Sequence, residues 1–315
     1  MILLKSRISQ VLDPSHRNWV QGGVFLDLRQ ASPSFTSKPV YLPPPNSIFN
    51  LFKWFIRNSC LIFKKKIIFS SITPLVNYYR FPIKLRRQKI GLWFTHQEND
   101  FSSIEKYALS RCNTIFIHSS REIEKLKMAS NAKLIVTIGA IHPKRFIKKA
   151  DFGSRILWAG TPNERKRPAL FLEIAAKNPN MNFTLIGHGW RASKYWNQIS
   201  SLKNVIYKDF HGPLRSEDLD GCCIYLMTSE IEGGPMPLFE SVASGLHPLC
   251  TDTGFVREIY SLVNLPFEFV NPNVVEISER LRSTLIKMQS GYSVEREKLL
   301  KLDYVRLANI IKDNL

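Results

Sequence analysis

The sequence predicts an α/β protein of two doubly wound domains, and three observations carry that reading. Its 315 residues, 44% of them hydrophobic, suffice for two cores of about 150 residues each. The second half alternates short β-branched or aromatic runs with amphipathic helical patterns, as parallel sheets with crossover helices do. Four of those runs end at Gly160, Gly187, Gly212 and Ser229, and open parallel sheets bind ligands at the carboxyl ends of their strands.

In the first half, Met1 to Leu4 is too short for a signal-peptide core and reads as a first strand. Val40–Leu42 and Ile67–Ser70 are expected strands around a helical Ser47–Arg57. Pro43-Pro44-Pro45 between them is a turn or extended link, because proline lacks the donor a ladder needs. Ile90–Phe94, Thr114–His118 and Leu134–Ile138 are strands, with a helix over Ser103–Ser110. Residues 140–153, with Pro143, four basic residues and Gly153, read as a linker, which sets the domains at 1–147 and 148–315. Beyond it, strands are expected at Ile156–Ala159, Phe183–Ile186, Val205–Tyr207, Ile224–Met227 and Pro248–Thr251. Helices are expected at Pro168–Lys177, Lys194–Ser200 and around Glu240. A helical pattern over Glu295–Lys312 closes the chain, and packing back on the first domain is open to it.

The formal charge is +18, yet residues 1–150 hold 25 basic and 7 acidic residues while residues 151–315 hold 19 of each. A basic half attracts polyanions: nucleic acid, an anionic membrane face or a phosphate-bearing acceptor. No nucleic-acid motif is present. Phe52–Arg57, Leu61–Phe69 and Tyr78–Arg87 interleave basic with large apolar residues, which suits a membrane interface, or else an apolar core with solvated charges. Lys53, Arg57 and Lys64 to Lys66 interrupt the run before it reaches the roughly 18 uncharged residues of a spanning helix. A cytoplasmic protein is expected, with peripheral attachment to the inner membrane face through residues 1–150. Cys60, Cys112, Cys222, Cys223 and Cys250 have no C-x-x-C and no metal-like spacing, and read as reduced core thiols.

The most informative stretch runs from Ser229 to Gly254. Glu232 sits in a turn, Gly233-Gly234-Pro235 opens a short helix through Met236, and Glu240 lies within that helix. Leu238, Phe239, Val242 and Ala243 fall at helical spacing, and Gly245 is the stop. Free N–H groups, a helix dipole and close glycine backbone favour an anion such as phosphate. The two carboxylates are not a glycosidase pair: eight residues at helical rise place them about 12 Å apart, beyond the roughly 5 to 9.5 Å such pairs need. Asp218-Leu219-Asp220 matches a D-x-D metal motif only superficially, because a helix should pack there. Neither a nucleophile elbow nor H-E-x-x-H occurs.

Ser-x-x-Glu-Gly, Pro-Leu-x-x-Glu and Ala-x-Gly, followed by a strand and Thr251-Asp252-Thr253-Gly254, resemble the donor site of retaining GT-B glycosyltransferases, family four in the sequence classification. The resemblance runs from about Lys89 to about Glu258. Ile156–Gly160 with Arg165-Lys166-Arg167-Pro168 is similar to the family's strand, loop and basic residue that hold the donor diphosphate, Lys166 being the matching lysine in a loop read as exposed. Where the family has an arginine directly after the glycine, this chain has Thr161, with Arg165 or Arg167 as the replacement. Thr184–Gly189, including Gly187, resembles the Gly-x-Gly turn along the nucleotide pocket, and Phe210-His211-Gly212 the loop flanking the base. Trp93-Phe94-Thr95-His96 resembles the strand end whose histidine approaches the donor sugar. Gly22-Gly23 resembles the glycine pair that opens the first long helix against the diphosphate.

The resemblance implies two Rossmann-like domains across a cleft, the first shortened between Leu26 and Ile90. It implies a metal-independent, cofactor-free, hexosyltransferase-like transfer from a nucleotide diphosphate sugar to a glycan or lipid-linked acceptor, in surface polysaccharide or glycolipid synthesis. Glu232 would contact donor sugar hydroxyls and Glu240 the ribose. Lys166, an arginine, Gly160 and the backbone of Gly233, Gly234, Pro235 and Met236 would hold the diphosphate. Two other classes stay open: a GT-B epimerase or phosphorylase, and a non-catalytic nucleotide-sugar-binding protein.

Overall fold

The computed structural model describes residues 8–12, 20–36, 40–42, 48–80, 88–95, 100–146, 153–210 and 212–315. They form two compact units, residues 1–140 with 303–315, and residues 141–302. The sequence places the division at 147; the units divide at 140, and the last helix is counted with the first unit.

The first unit contains β1 (Ile8–Leu12), α1 (Val20–Ala31), β2 (Val40–Tyr41), α2 (Ile48–Ile62), β3 (Lys66–Phe69), α3 (Ile72–Tyr79), β4 (Lys89–Phe94), α4 (Ser103–Leu109), β5 (Thr114–Ile117), α5 (Ile123–Ala129) and β6 (Lys133–Val136). Its six strands are all parallel, in the order β2-β1-β3-β4-β5-β6. Alternation along each strand divides the side chains between two faces. Ile67, Phe69, Ile90, Leu92 and Phe94 join Trp54, Leu75, Leu109 and Leu126 on one face. Ile8, Leu12, Ile68, Trp93 and Phe116 join Val24 and Leu28 of α1 on the other.

The first strand expected at Met1–Leu4 lies outside the described residues, and the first strand described is β1. Of the three mixed basic and apolar segments, the core claims Ile67–Phe69, Tyr78 and Tyr79, while α2 is divided. Trp54 is buried, its indole N–H donating to the Asn77 carbonyl at 2.9 Å, and Leu61 is buried with it. Leu51, Phe52, Phe55 and Ile56 of the same helix are exposed. Arg86 and Arg87 lie outside the described residues.

The second unit contains β7 (Arg155–Ala159), α6 (Pro168–Lys177), β8 (Phe183–Ile186), α7 (Trp196–Ser201), β9 (Val205–Lys208), β10 (Cys222–Met227), α8 (Met236–Ala243), β11 (His247–Cys250), α9 (Val256–Leu262), α10 (Val274–Gln289) and α11 (Glu297–Leu300). Its parallel strands run β11-β10-β7-β8-β9. Strand order reverses between β7 and β10, and such a switch point opens a crevice at the carboxyl ends of the two strands.

The single helix expected over Glu295–Lys312 is broken into α11 and α12 (Tyr304–Asn314). Asp303 is extended at the break, and its carboxylate accepts the Arg306 N–H at 2.7 Å, the N-cap that starts α12. Tyr304, Leu307, Ala308 and Ile311 of α12 then join the core that holds Ile68 and Trp93. The Thr114 hydroxyl donates to the Asn314 carbonyl at 2.6 Å, tying the helix end to β5.

Within the second unit Arg296 is 6% exposed, and its guanidinium donates to the carbonyls of Phe146 at 2.9 Å and of Ala243, in the last turn of α8, at 2.7 Å. Hydrogen bonds from a charged donor are the strong ones, so Arg296→Ala should destabilise the unit by about 2–4 kcal/mol. Denaturant unfolding measures this, and a loss below roughly 0.5 kcal/mol, the range of ordinary surface changes, would contradict it.

Candidate functional site

The switch point brings together two loops that are far apart in the chain. After β7 the chain turns at Gly160 and enters a 3-10 turn at Glu164–Lys166, started by Asn163, whose side chain accepts the Arg165 N–H at 3.1 Å. Glu164 is held from outside by the Tyr195 hydroxyl at 2.8 Å and the Lys194 ammonium at 2.8 Å. A Cβ at position 160 would lie 2.8 Å from Cδ of Lys166, so glycine there leaves the room in which the lysine stem lies. Arg167 adopts a left-handed conformation, φ 52°, before Pro168 begins α6.

After β10, Thr228 and Ser229 lead into Glu232. The Thr228 hydroxyl donates to the Lys166 carbonyl at 2.8 Å, and the Glu230 N–H donates to the Arg165 carbonyl at 2.7 Å, so the loops are joined through backbone as well as charge. Lys166 Nζ lies 2.6 Å from Glu232 Oε1, which also accepts the Ser229 hydroxyl at 2.9 Å. Arg165 donates to the Ile231 carbonyl at 3.0 Å and stands 3.6 Å from Glu232 Oε2. Arg167 turns instead toward the exposed Glu230, at 3.6 Å. Of the two arginines that could replace the one missing at Thr161, Arg165 therefore shares the cluster with Lys166. The Lys166 side chain is only 15% exposed, which corrects its reading as an open-loop residue: the carboxylate draws it in.

Two cations share the one carboxylate of Glu232, so the cluster keeps a positive balance. The N–H groups of Gly233, Gly234 and Met236 make no hydrogen bond to another described residue. Pro235, expected among the donors, has no N–H and serves as the N-cap position of α8. Backbone donors at a helix start beside a surplus cation form a site for an anion.

Glu240 has a different setting. It lies on α8 at 5% exposure, and its Oε2 accepts the Leu214 N–H at 3.3 Å, from the loop after β9. Burial, partly offset by that hydrogen bond and by Arg145, raises its pKa from 4.5 to about 8, with Asp218 adding to the rise. A carboxyl whose pKa is raised on folding contributes fully while both states are protonated, and loses stability as pH climbs through the window between the two values. The stability difference between wild type and Glu240→Gln should therefore shift in favour of the variant between about pH 5 and pH 8 and level off above. Urea titrations across that range test it, and a pH-independent difference would refute the buried neutral carboxyl.

Gly187 ends β8 with φ 151°, and a Cβ there would fall 2.0 Å from the Gly160 carbonyl oxygen. That oxygen accepts the Trp190 indole N–H at 2.8 Å, a contact no sequence pattern announced. Thr253 and Gly254 also lacked an assigned role in the sequence. The Thr253 hydroxyl accepts the Glu232 N–H at 3.0 Å, and Gly254, at φ 56°, lies against the Glu232 carbonyl. Their signal was present in the Thr-Asp-x-Gly run after β11. Gly160, Gly187, Arg165, Lys166, Glu232 and Gly233 to Met236 thus form one continuous neighbourhood, with Glu240 further along α8. Gly22 and Gly23 lie in the first turn of α1 in the other unit. His96 and His211 lie outside the described residues. Asp218, of the D-x-D run, spends its carboxylate on the Arg215 N–H at 2.8 Å, capping a 3-10 turn. Cys112, Cys222, Cys223 and Cys250 are buried thiols.

Residues 141–290 match the family described as Glycosyl transferases group 1. Among solved structures, an Anabaena protein, Alr3699/HepE in complex with UDP and glucose, shares 12% identity over 98% of each chain, with a TM-score of 0.75. Sucrose-phosphate synthase from Thermosynechococcus elongatus shares 13% over 98% of each chain, with a TM-score of 0.74. The lipopolysaccharide outer core galactosyltransferase WaaB, in its apo form, shares 12% over 97% of this chain and 98% of its own, with a TM-score of 0.67. At such identities the likeness is one of fold, the GT-B architecture of two Rossmann-like units. No curated protein matches the sequence.

Proposed function

We propose, from the premise that residues 141–290 belong to the Glycosyl transferases group 1 family, that the protein transfers a sugar from a nucleotide diphosphate sugar to a hydroxyl acceptor with retention of configuration. The observation that carries this reading is the Lys166, Arg165 and Glu232 cluster at the β7/β10 switch point, with Lys166 2.6 Å from the carboxylate. A leaving diphosphate gains negative charge in the transition state, and preorganised cations and N–H groups stabilise it most where charge grows. Lys166, Arg165 and the N–H groups of Gly233, Gly234 and Met236 fill that role. They do so without a metal, because the two cations take over its charge-neutralising part.

Glu232, fixed by Ser229 and Lys166, receives the donor sugar hydroxyls, and Glu240 receives the ribose. In the transfer the acceptor oxygen bonds to the anomeric carbon as the bond from that carbon to the diphosphate breaks. The acceptor proton passes to the departing phosphate on the same face. The resemblance of their motifs, and not geometry, assigns His96 to the donor sugar and Gly22 and Gly23 to the diphosphate. The UDP and glucose in the Anabaena structure support a hexose carried on a nucleotide diphosphate. The acceptor is a glycan or a lipid-linked glycan in surface polysaccharide or glycolipid synthesis, reached in the cytoplasm by peripheral attachment of the basic residues 1–150 to an anionic membrane face. No described helix is long and apolar enough to cross a membrane.

The test is a panel of nucleotide diphosphate sugars, with hydrolysis and transfer followed separately and a chelator present throughout. One donor should be turned over with its α or β configuration kept. Tight nucleotide binding with no turnover of any donor would favour a non-catalytic binding protein, and activity lost to the chelator would sink the metal-free mechanism.

A further inference from the structure

Helix α2 exposes an apolar stripe on the basic unit. Leu51, Phe52, Phe55 and Ile56 are 40%, 64%, 56% and 51% exposed, and Phe63, just past the helix end, is 80% exposed. Positions 51, 52, 55 and 56 fall on one face, opposite the buried Trp54 and Leu61. Ser59, next along that stripe, donates its hydroxyl back to the Phe55 carbonyl at 2.8 Å, so it presents no unsatisfied donor. No other helix among the described residues exposes four large apolar side chains. Lys53 within the helix, and Lys64 and Lys65 directly after it, are exposed beside the stripe.

We propose that this face of α2 enters the headgroup region of an anionic membrane, with Phe52, Phe55, Ile56 and Phe63 as the inserting side chains and Lys53, Lys64 and Lys65 meeting lipid phosphates. An amphipathic helix of this type lies in the interface plane with its apolar side about 5–10 Å deep, while lysine stems reach up to the charged layer. Charge decides against a second copy of the chain as the occupant: +18 over the protein, concentrated in residues 1–150, makes two such faces repel. It also demands a negative surface, and a convex stripe on a single helix inserts into lipid without the partner groove that a protein would need. The inference rests on the peripheral attachment proposed above and sharpens it: the apolar face, rather than charge alone, holds the protein down.

Flotation of the full chain with phosphatidylcholine vesicles, with and without phosphatidylglycerol, tests it. Wild type should float only with the anionic vesicles. Phe52→Asp with Phe55→Asp should weaken that binding by at least about tenfold, and Lys64→Gln with Lys65→Gln should weaken it most at low salt, the difference from wild type shrinking as salt is raised and screens the charges. Hydrogen exchange should slow over residues 48–63 on vesicle binding. All four substituted side chains are exposed, so matched melting curves establish that the variants fold. Anionic-vesicle binding unchanged by the double Asp variant, or protection confined to another helix, would overturn the role of α2 and leave charge-driven attachment standing. No wild-type binding at low salt would overturn both, with donor turnover untouched. Concentration-dependent dimers abolished by Phe55→Asp, or vesicle-independent capture of an acidic protein by the same face, would assign α2 to a protein partner instead.

Discussion

Glu232→Gln is expected to lower turnover by about a hundredfold while leaving nucleoside diphosphate affinity within a few-fold of wild type. The carboxylate is 8% exposed and gathers three side chains: Lys166 at 2.6 Å, Ser229 at 2.9 Å and Arg165 at 3.6 Å. An amide of the same shape keeps the Ser229 contact but loses its charge, so Lys166 and Arg165 are no longer drawn to it. The two cations remain available to a diphosphate, which is why binding survives. In the proposed transfer the sugar hydroxyls lose the charged acceptor that fixes the reacting carbon, which is why the rate does not. Calorimetry with nucleoside diphosphate and initial rates with the best donor separate the two effects. Wild-type turnover in Glu232→Gln would remove this residue from the reaction.

Lys166→Ala should abolish most of the preference for nucleoside diphosphate over nucleoside, a loss of roughly 1.5–3 kcal/mol for a charge-assisted contact. Arg165→Ala should show the smaller loss, because its guanidinium is also committed to the Ile231 carbonyl at 3.0 Å. Truncating Lys166 also leaves Glu232 with weaker partners, so a modest fall in melting temperature accompanies the binding defect and is measured beside it. Competition between nucleoside and nucleoside diphosphate for wild type and both variants is the direct measurement. A Lys166→Ala protein that still prefers the diphosphate as strongly as wild type would move the anion site elsewhere, and a larger effect of Arg165→Ala would reverse the ranking of the two cations.

Much of the second unit was legible in the sequence because buried parallel strands announce themselves as short continuous apolar runs. Pro168–Lys177 and Phe183–Ile186 carry the expected bounds, and β7 begins one residue early. The start and stop of α8 were written in Gly233-Gly234-Pro235 and in Gly245, whose φ is 98°. The long α10 is not among the helices the sequence predicts, although its apolar positions recur at helical spacing and Asn273 caps it, accepting the Val275 N–H at 2.8 Å. Its many charges masked an amphipathic face that only a sheet beneath it makes useful.

What the sequence determined by itself was local: where backbone must turn, where apolar runs must be buried, and which residue types stand at strand ends. Tertiary structure decided whatever depends on which strands are neighbours. Lys166 and Glu232 are 66 residues apart and meet only because β7 and β10 lie side by side at the reversal of strand order. The same holds for Arg165 over Arg167, since a left-handed backbone at Arg167 points its side chain toward Glu230. Periodicity placed apolar residues along α2 and along the last helical pattern, but it cannot say which faces find cover. The sheet of the first unit buries Trp54 and Leu61 and gathers in α12, and it leaves Phe52, Phe55 and Ile56 in the open, because a sheet face offers contact to only one side of each helix laid on it.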